Sequence, residues 1–74
     1  MRLVLDASAA VRLVMRTEQT IALIQTLGEA TVVTAPSLFT TEVANALWKY
    51  VEAGTLELET AIERYEEALN LVDK

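Results

Sequence analysis

The chain contains no cysteine and no histidine. The first absence removes disulfides and thiolate metal sites as staples for a small fold. The second removes imidazole ligands and His-based acid–base or triad chemistry. Proline occurs once, at Pro36, and glycine twice, at Gly28 and Gly54, so strong breaks in regular structure are few. Basic residues are also scarce, six against eleven acidic ones, for a net charge of −5. This argues against broad nucleic-acid binding through a basic face, and a helical repressor fits poorly because there is no basic recognition helix. A nuclease is not, because acidic active sites rely on bound cations to meet phosphate. No apolar run reaches the ~20 residues needed to cross a membrane. The N-terminus lacks the charged region, long apolar stretch and cleavage site of a signal peptide, so the expected location is the cytoplasm.

What the chain has in excess is apolar surface. Of its 74 residues, 53% are hydrophobic, yet a chain of about this size buries only roughly 60% of its unfolded surface. The surplus predicts an exposed apolar face and self-association into a homo-oligomer. The reading is one continuous unit, residues 1–74, without repeat, linker or low-complexity tract, and shorter than the usual ~100–150 residues of a domain.

Periodicity gives the order strand, helix, helix, strand, helix, helix. The first strand covers residues 2–5 and the first helix about 8–15. Thr17 is the expected N-cap of a second helix that Gly28 stops. The β-branched run at 31–34 predicts the second strand. Pro36 suits the first turn of a third helix, which runs to about Ala53 with Gly54 as its C-cap. Phe39, Val43, Leu47 and Tyr50 fall on one face of it, and Trp48 on the other side. The last helix, from about Glu57, carries Leu58, Ile62, Tyr65, Leu69 and Val72 on one stripe, with Glu59, Glu63, Glu67 and Asn70 as a solvated face. Asp73 is expected at the end of that helix. The fold class is therefore α/β, a βααβαα chain with a small parallel sheet flanked by helices.

Asp6 is the most informative residue. It closes the run Leu3-Val4-Leu5 and opens the small-residue stretch Ala7-Ser8-Ala9-Ala10, as a buried strand does when it feeds a helix. Ligands in open α/β sheets sit at the carboxyl ends of strands, and a desolvated carboxylate there is commonly met by a divalent cation. The simpler reading is that Asp6, alone or with Ser8, caps the next helix. Glu42 stands at the rim of the Phe39–Val43–Leu47 stripe, and Asn45 and Lys49 continue its line. Arg12 and Arg16, four apart on the first helix, could contact RNA or an acidic partner but read more simply as solvated charges.

Two segments together, Leu-Val-Leu-Asp-Ala-Ser-Ala at residues 3–9 and Pro36 followed by Glu42, Asn45 and Leu47, resemble the N-terminal half of a PIN domain. This is the fold of the toxin ribonucleases of VapBC-type toxin–antitoxin pairs. The resemblance covers essentially the whole chain and about half of such a domain. It implies a truncated PIN-like fold in which Asp6 and Glu42 are catalytic and hold Mg²⁺ or Mn²⁺. Ser8 and Asn45 would support them, by orienting water or a phosphate oxygen and by fixing the Glu42 carboxylate. The implied substrate is RNA, the implied reaction phosphodiester hydrolysis, and the implied partner a cognate antitoxin protein. The remaining acidic members of the family's cluster come from a Tyr-Asp-Ala-like and a Thr-x-Asp-like segment, and nothing after Glu42 matches either. The alternative is a non-catalytic PIN-like module that acts by self-association or by binding a protein partner.

Overall fold

The computed structural model describes residues 1–16 and 20–73. Its elements are β1 (Arg2–Val4), α1 (Ala7–Val14), α2 (Thr20–Glu29), β2 (Val32–Thr34), α3 (Phe39–Glu52) and α4 (Leu58–Asn70). Among the described residues the architecture is α/β, four helices with a two-stranded parallel sheet. Arg2 lies opposite Val32, Leu3 opposite Val33 and Val4 opposite Thr34.

The expected order is present, with shifted boundaries. α2 runs through Gly28 to Glu29, since a single glycine costs a helix only about 1 kcal/mol and does not by itself end it. Thr17, the expected N-cap, lies outside the described residues. Pro36 stands before α3, not in its first turn. Its carbonyl accepts the Phe39 N–H at 3.0 Å, closing a turn from which the helix starts. Gly54 ends α3 as expected, with φ +78°. The Gly54 N–H donates to the Val51 carbonyl and the Thr55 N–H to the Tyr50 carbonyl. That pair of bonds is the Schellman arrangement, which needs a left-handed residue and so favours glycine.

The core lies where α1, α3 and α4 meet, each packed against the other two. Ala10 of α1, Val43 of α3 and Ala68 of α4 have no exposed surface. Small side chains let helix axes approach to the 8–10 Å of close packing. Phe39, Val43 and Leu47 share the buried face of α3 as their spacing predicts, but Tyr50 is exposed. On α4 the buried line runs through Ala61 and Ala68, whereas Leu58 and Ile62 are 55% and 52% exposed. The large residues overhang the contact that the alanines make. The expected solvated face also differs in part, because Glu67 is half-buried and both of its carboxylate oxygens accept from Arg64 at 2.6 Å.

The sheet is covered on one face only. Leu5 and Val33 are buried against the helices, while Arg2, Val4 and Val32 face outward and are exposed. The shortest molecular dimension, 15 Å, fits two layers and not three. Parallel sheets are normally covered on both faces, so this one is left half-dressed.

Asp73 was expected on the last helix and is not there. α4 ends at Asn70, and Asp73 pairs with the outer edge of β2 instead. Its N–H donates to the Val33 carbonyl at 2.8 Å and its Oδ2 accepts the Val33 N–H at 2.8 Å. A carboxylate that satisfies a buried strand's amide is worth more here than one further helical residue exposed to water. Replacing Asp73 with Ala would leave the Val33 N–H without its acceptor. The expected loss is about 1–3 kcal/mol in urea unfolding, with Asp73→Asn retaining most of the stability.

Candidate functional site

β1 and α1 meet at Asp6, which has extended backbone angles (φ −86°, ψ 166°) and is the N-cap of α1. Its Oδ1 accepts the Ala9 N–H at 2.8 Å and the Ser8 hydroxyl at 3.0 Å. The capping reading is thus realised, and Oδ2 takes part in neither bond. The Ala9 amide, then the Ser8 hydroxyl, hold the carboxyl below its ordinary range; modest desolvation opposes them and the Arg12 charge adds to them. Ser8 acts on this carboxylate, and its hydroxyl proton is committed to Oδ1.

Glu42 lies in the first turn of α3, where the positive end of the helix dipole favours a carboxylate. It is exposed and makes no side-chain hydrogen bond or ion pair among the described residues. The packing of α1 on α3 brings the two acids together. Asp6, Ala7, Ser8, Glu42 and Ala46 line one open pocket of about 370 Å³. Ala7 and Ala46 leave room between the acids. Asn45 is exposed and lies outside this lining. Asn45 and Ala46 both neighbour Glu42 along the helix, and the packing of α1 on α3 brings only Ala46 to the pocket.

Ser8 and Ala46 also line a larger groove of about 610 Å³ that continues between α1 and α3, past Arg12, Lys49, Tyr50 and Thr55. Two cationic side chains therefore flank a groove whose end is carboxylate-lined. Sequence spacing alone did not suggest this, because Arg12 and Lys49 belong to different helices and only their packing puts them on one groove. A third feature is wholly different in chemistry. Between α3 and α4 runs an apolar groove of about 160 Å³, with Leu47, Trp48, Val51, Leu58, Ile62 and Tyr65 among its lining. Trp48, 51% exposed, forms part of its wall.

The donor set can be tested against a divalent cation. Asp6 Oδ2 and the Glu42 carboxylate supply two hard oxygen ligands. Mg²⁺ suits such a pair, since it keeps several waters and is often held by one or two carboxylates plus substrate phosphate. Among the described residues no group of three or more Asp or Glu residues stands ready to hold a metal. The residues present fit a hydrated cation held jointly with phosphate. No protein-family model matches this chain, and no curated protein or solved structure matches it either. No helix among the described residues is long and apolar enough to cross a membrane.

Asp6 has two separable roles, cap and charge. Asp6→Ala should cost about 1 kcal/mol of stability, whereas Asp6→Asn, also a good cap, should cost only a few tenths. Because folding lowers this carboxyl's pKa, its charge contributes stability above the unfolded value of about 3.9 and loses it as pH falls through the lower folded value. Urea unfolding stepped from pH 6 to pH 2 checks both points. The acid-limb loss should be smaller in Asp6→Asn than in the parent chain.

Proposed function

We propose that this chain is the N-terminal half of a PIN-like, toxin-type ribonuclease unit, with Asp6 and Glu42 as its cation- and phosphate-binding carboxylates. The observation that carries the reading is the shared pocket of Asp6, Ser8 and Glu42 at the end of a groove flanked by Arg12 and Lys49. A polyanion needs that combination, with cations along its backbone and a carboxylate-held metal at the phosphate to be cut.

The geometry supports the following roles. Ser8 donates its hydroxyl proton to Asp6 Oδ1, and together with the Ala9 amide it holds that oxygen, so that Oδ2 would be the one offered to a ligand. Glu42 would supply the second oxygen. Arg12 and Lys49 would hold neighbouring phosphates and position the strand. Bound Mg²⁺ or Mn²⁺ supplies polarisation of the phosphate and a lowered pKa for an attacking water. With two carboxylates in place of the family's fuller cluster, cation affinity rests partly on the RNA itself. A cognate antitoxin would be the protein partner of such a toxin.

A second reading has its own observation. The α3–α4 groove, with Trp48, Leu58 and Ile62 all about half exposed, fits a non-catalytic module that binds a protein partner through an apolar surface.

The test is Mn²⁺ binding followed by electron paramagnetic resonance, alongside cleavage of a mixed-sequence RNA. The parent chain should bind Mn²⁺ more tightly with RNA present, and Asp6→Asn and Glu42→Gln should each abolish that gain. Lys49→Ala should weaken RNA binding and flatten its salt dependence by roughly one counterion. Binding and cleavage unchanged by both carboxylate substitutions would leave the partner-binding reading standing alone.

A further inference from the structure

We propose that two copies of this chain join edge to edge through β1, antiparallel, with Val4 on the two-fold axis. The Leu5 N–H donates to the Thr34 carbonyl at 2.7 Å and the Thr31 N–H to the Met1 carbonyl at 2.7 Å. Met1, Leu3 and Leu5 therefore turn their backbone groups toward β2, and by alternation Arg2, Val4 and Asp6 turn theirs away. β2 has its other edge engaged by Asp73 at Val33. Outside the β1–β2 ladder no backbone bond reaches Arg2 or Val4 among the described residues. Among the described residues the open edge of the sheet is therefore β1.

The sequence of that edge says what fits it. Arg2-Leu3-Val4-Leu5-Asp6 is self-complementary when set antiparallel to itself. A two-fold axis at Val4 puts Val4 against Val4, Leu3 against Leu5, and each Arg2 against the Asp6 of the other copy. In this register the two Val4 residues exchange a pair of hydrogen bonds and each Asp6 N–H meets an Arg2 carbonyl, the Asp6 carbonyl being already engaged by the Ala10 N–H at 3.1 Å. Opposite charges stand face to face at both ends, an arrangement that favours pairing. An axis at Arg2 would oppose two guanidinium groups, and an axis at Leu3 would set Arg2 against Val4 with no charge partner. Val4 is 70% exposed, and Arg2 and Asp6 are exposed as well. The product is a four-stranded sheet in the order β2–β1–β1–β2, isologous as a two-fold interface must be. Its interface is small, which makes it reversible and concentration-dependent.

The proposal needs neither metal nor RNA, so it is tested in metal-free buffer without RNA, where Asp6 has no cation to hold and failure of either reading is distinguishable. Sedimentation equilibrium of the 74-residue chain up to high micromolar concentration should show a monomer–dimer equilibrium. Arg2→Glu should weaken association by roughly tenfold or more, since two attractive pairs become repulsive. Val4→Lys should abolish it, and both variants should keep the parent's circular dichroism because the sites are exposed. The chain has no cysteine, so Val4→Cys gives a clean cross-linking probe. Paired Cα atoms about 5.5 Å apart fall within disulfide reach, and mild oxidation should give a covalent dimer. A monomer at every concentration overturns the proposal. So does a dimer that survives Val4→Lys but is lost in Ile62→Lys, which would place the interface at the α3–α4 groove. Cross-linking through Leu3→Cys and not Val4→Cys would overturn the register.

Discussion

The turn from β1 into α1 is held by Oδ1 of Asp6, which accepts the Ala9 amide and the Ser8 hydroxyl within 3.0 Å. This contact fixes the direction in which the chain leaves the sheet. With that direction set, Ala10 and Val11 face the buried side of α1 and the helix can seat on α3 and α4. It also holds the carboxylate of a residue that lines the pocket shared with Glu42. A single side chain therefore acts as cap, strand terminus and candidate ligand. These roles do not compete, because capping uses one oxygen and a cation needs only the other.

Packing elsewhere obeys one constraint, the closeness of α1, α3 and α4. Ala10, Ala61 and Ala68 permit that closeness, and Val43 is sealed by it. A fully buried valine contributes about 1.5–3 kcal/mol, a large share of what so small a domain has to spare. The same closeness explains why larger residues are displaced outward. Leu58 and Ile62 cannot enter a contact built from alanines, so they form a rim with Trp48 along the α3–α4 groove. The apolar surplus read from composition is therefore not spread evenly. Part of it lies at this groove and on the uncovered face of the sheet at Val4 and Val32, with Ile24 and Leu38 exposed elsewhere.

The element order, the α3 face through Leu47 and the Gly54 terminus were legible in the sequence because each rests on local rules. Helical period, β-branched runs and a glycine at a left-handed position are properties of a few adjacent residues. The α4 face was not legible, because hydrophobic size and helical spacing both favoured Leu58 and Ile62. Only the distance to neighbouring helices selects Ala61 and Ala68 instead. Asp73 was misread for a related reason, since its value lies in the Val33 amide, forty residues away in sequence. The capping role of Asp6 was legible from residue type and position, whereas its sharing a pocket with Glu42 was not a local property. The exclusion of Asn45 and the alignment of Arg12 with Lys49 depend on how α1 lies across α3.

An open strand edge is ordinarily a liability, and short length and charge are the usual defences. β1 has both, being three residues long with Arg2 at its start. Read alone, Arg2 is a gatekeeper that discourages pairing. Asp6 changes that reading, because a strand with a cation at one end and an anion at the other repels most partners and most registers of itself. Only one antiparallel alignment places unlike charges opposite each other at both ends while keeping Val4 on Val4. The charges then do not forbid association; they reduce its alternatives to one. Specificity of this kind costs little affinity, since the backbone bonds of an open edge supply the attraction and the flanking charges only choose where it can act.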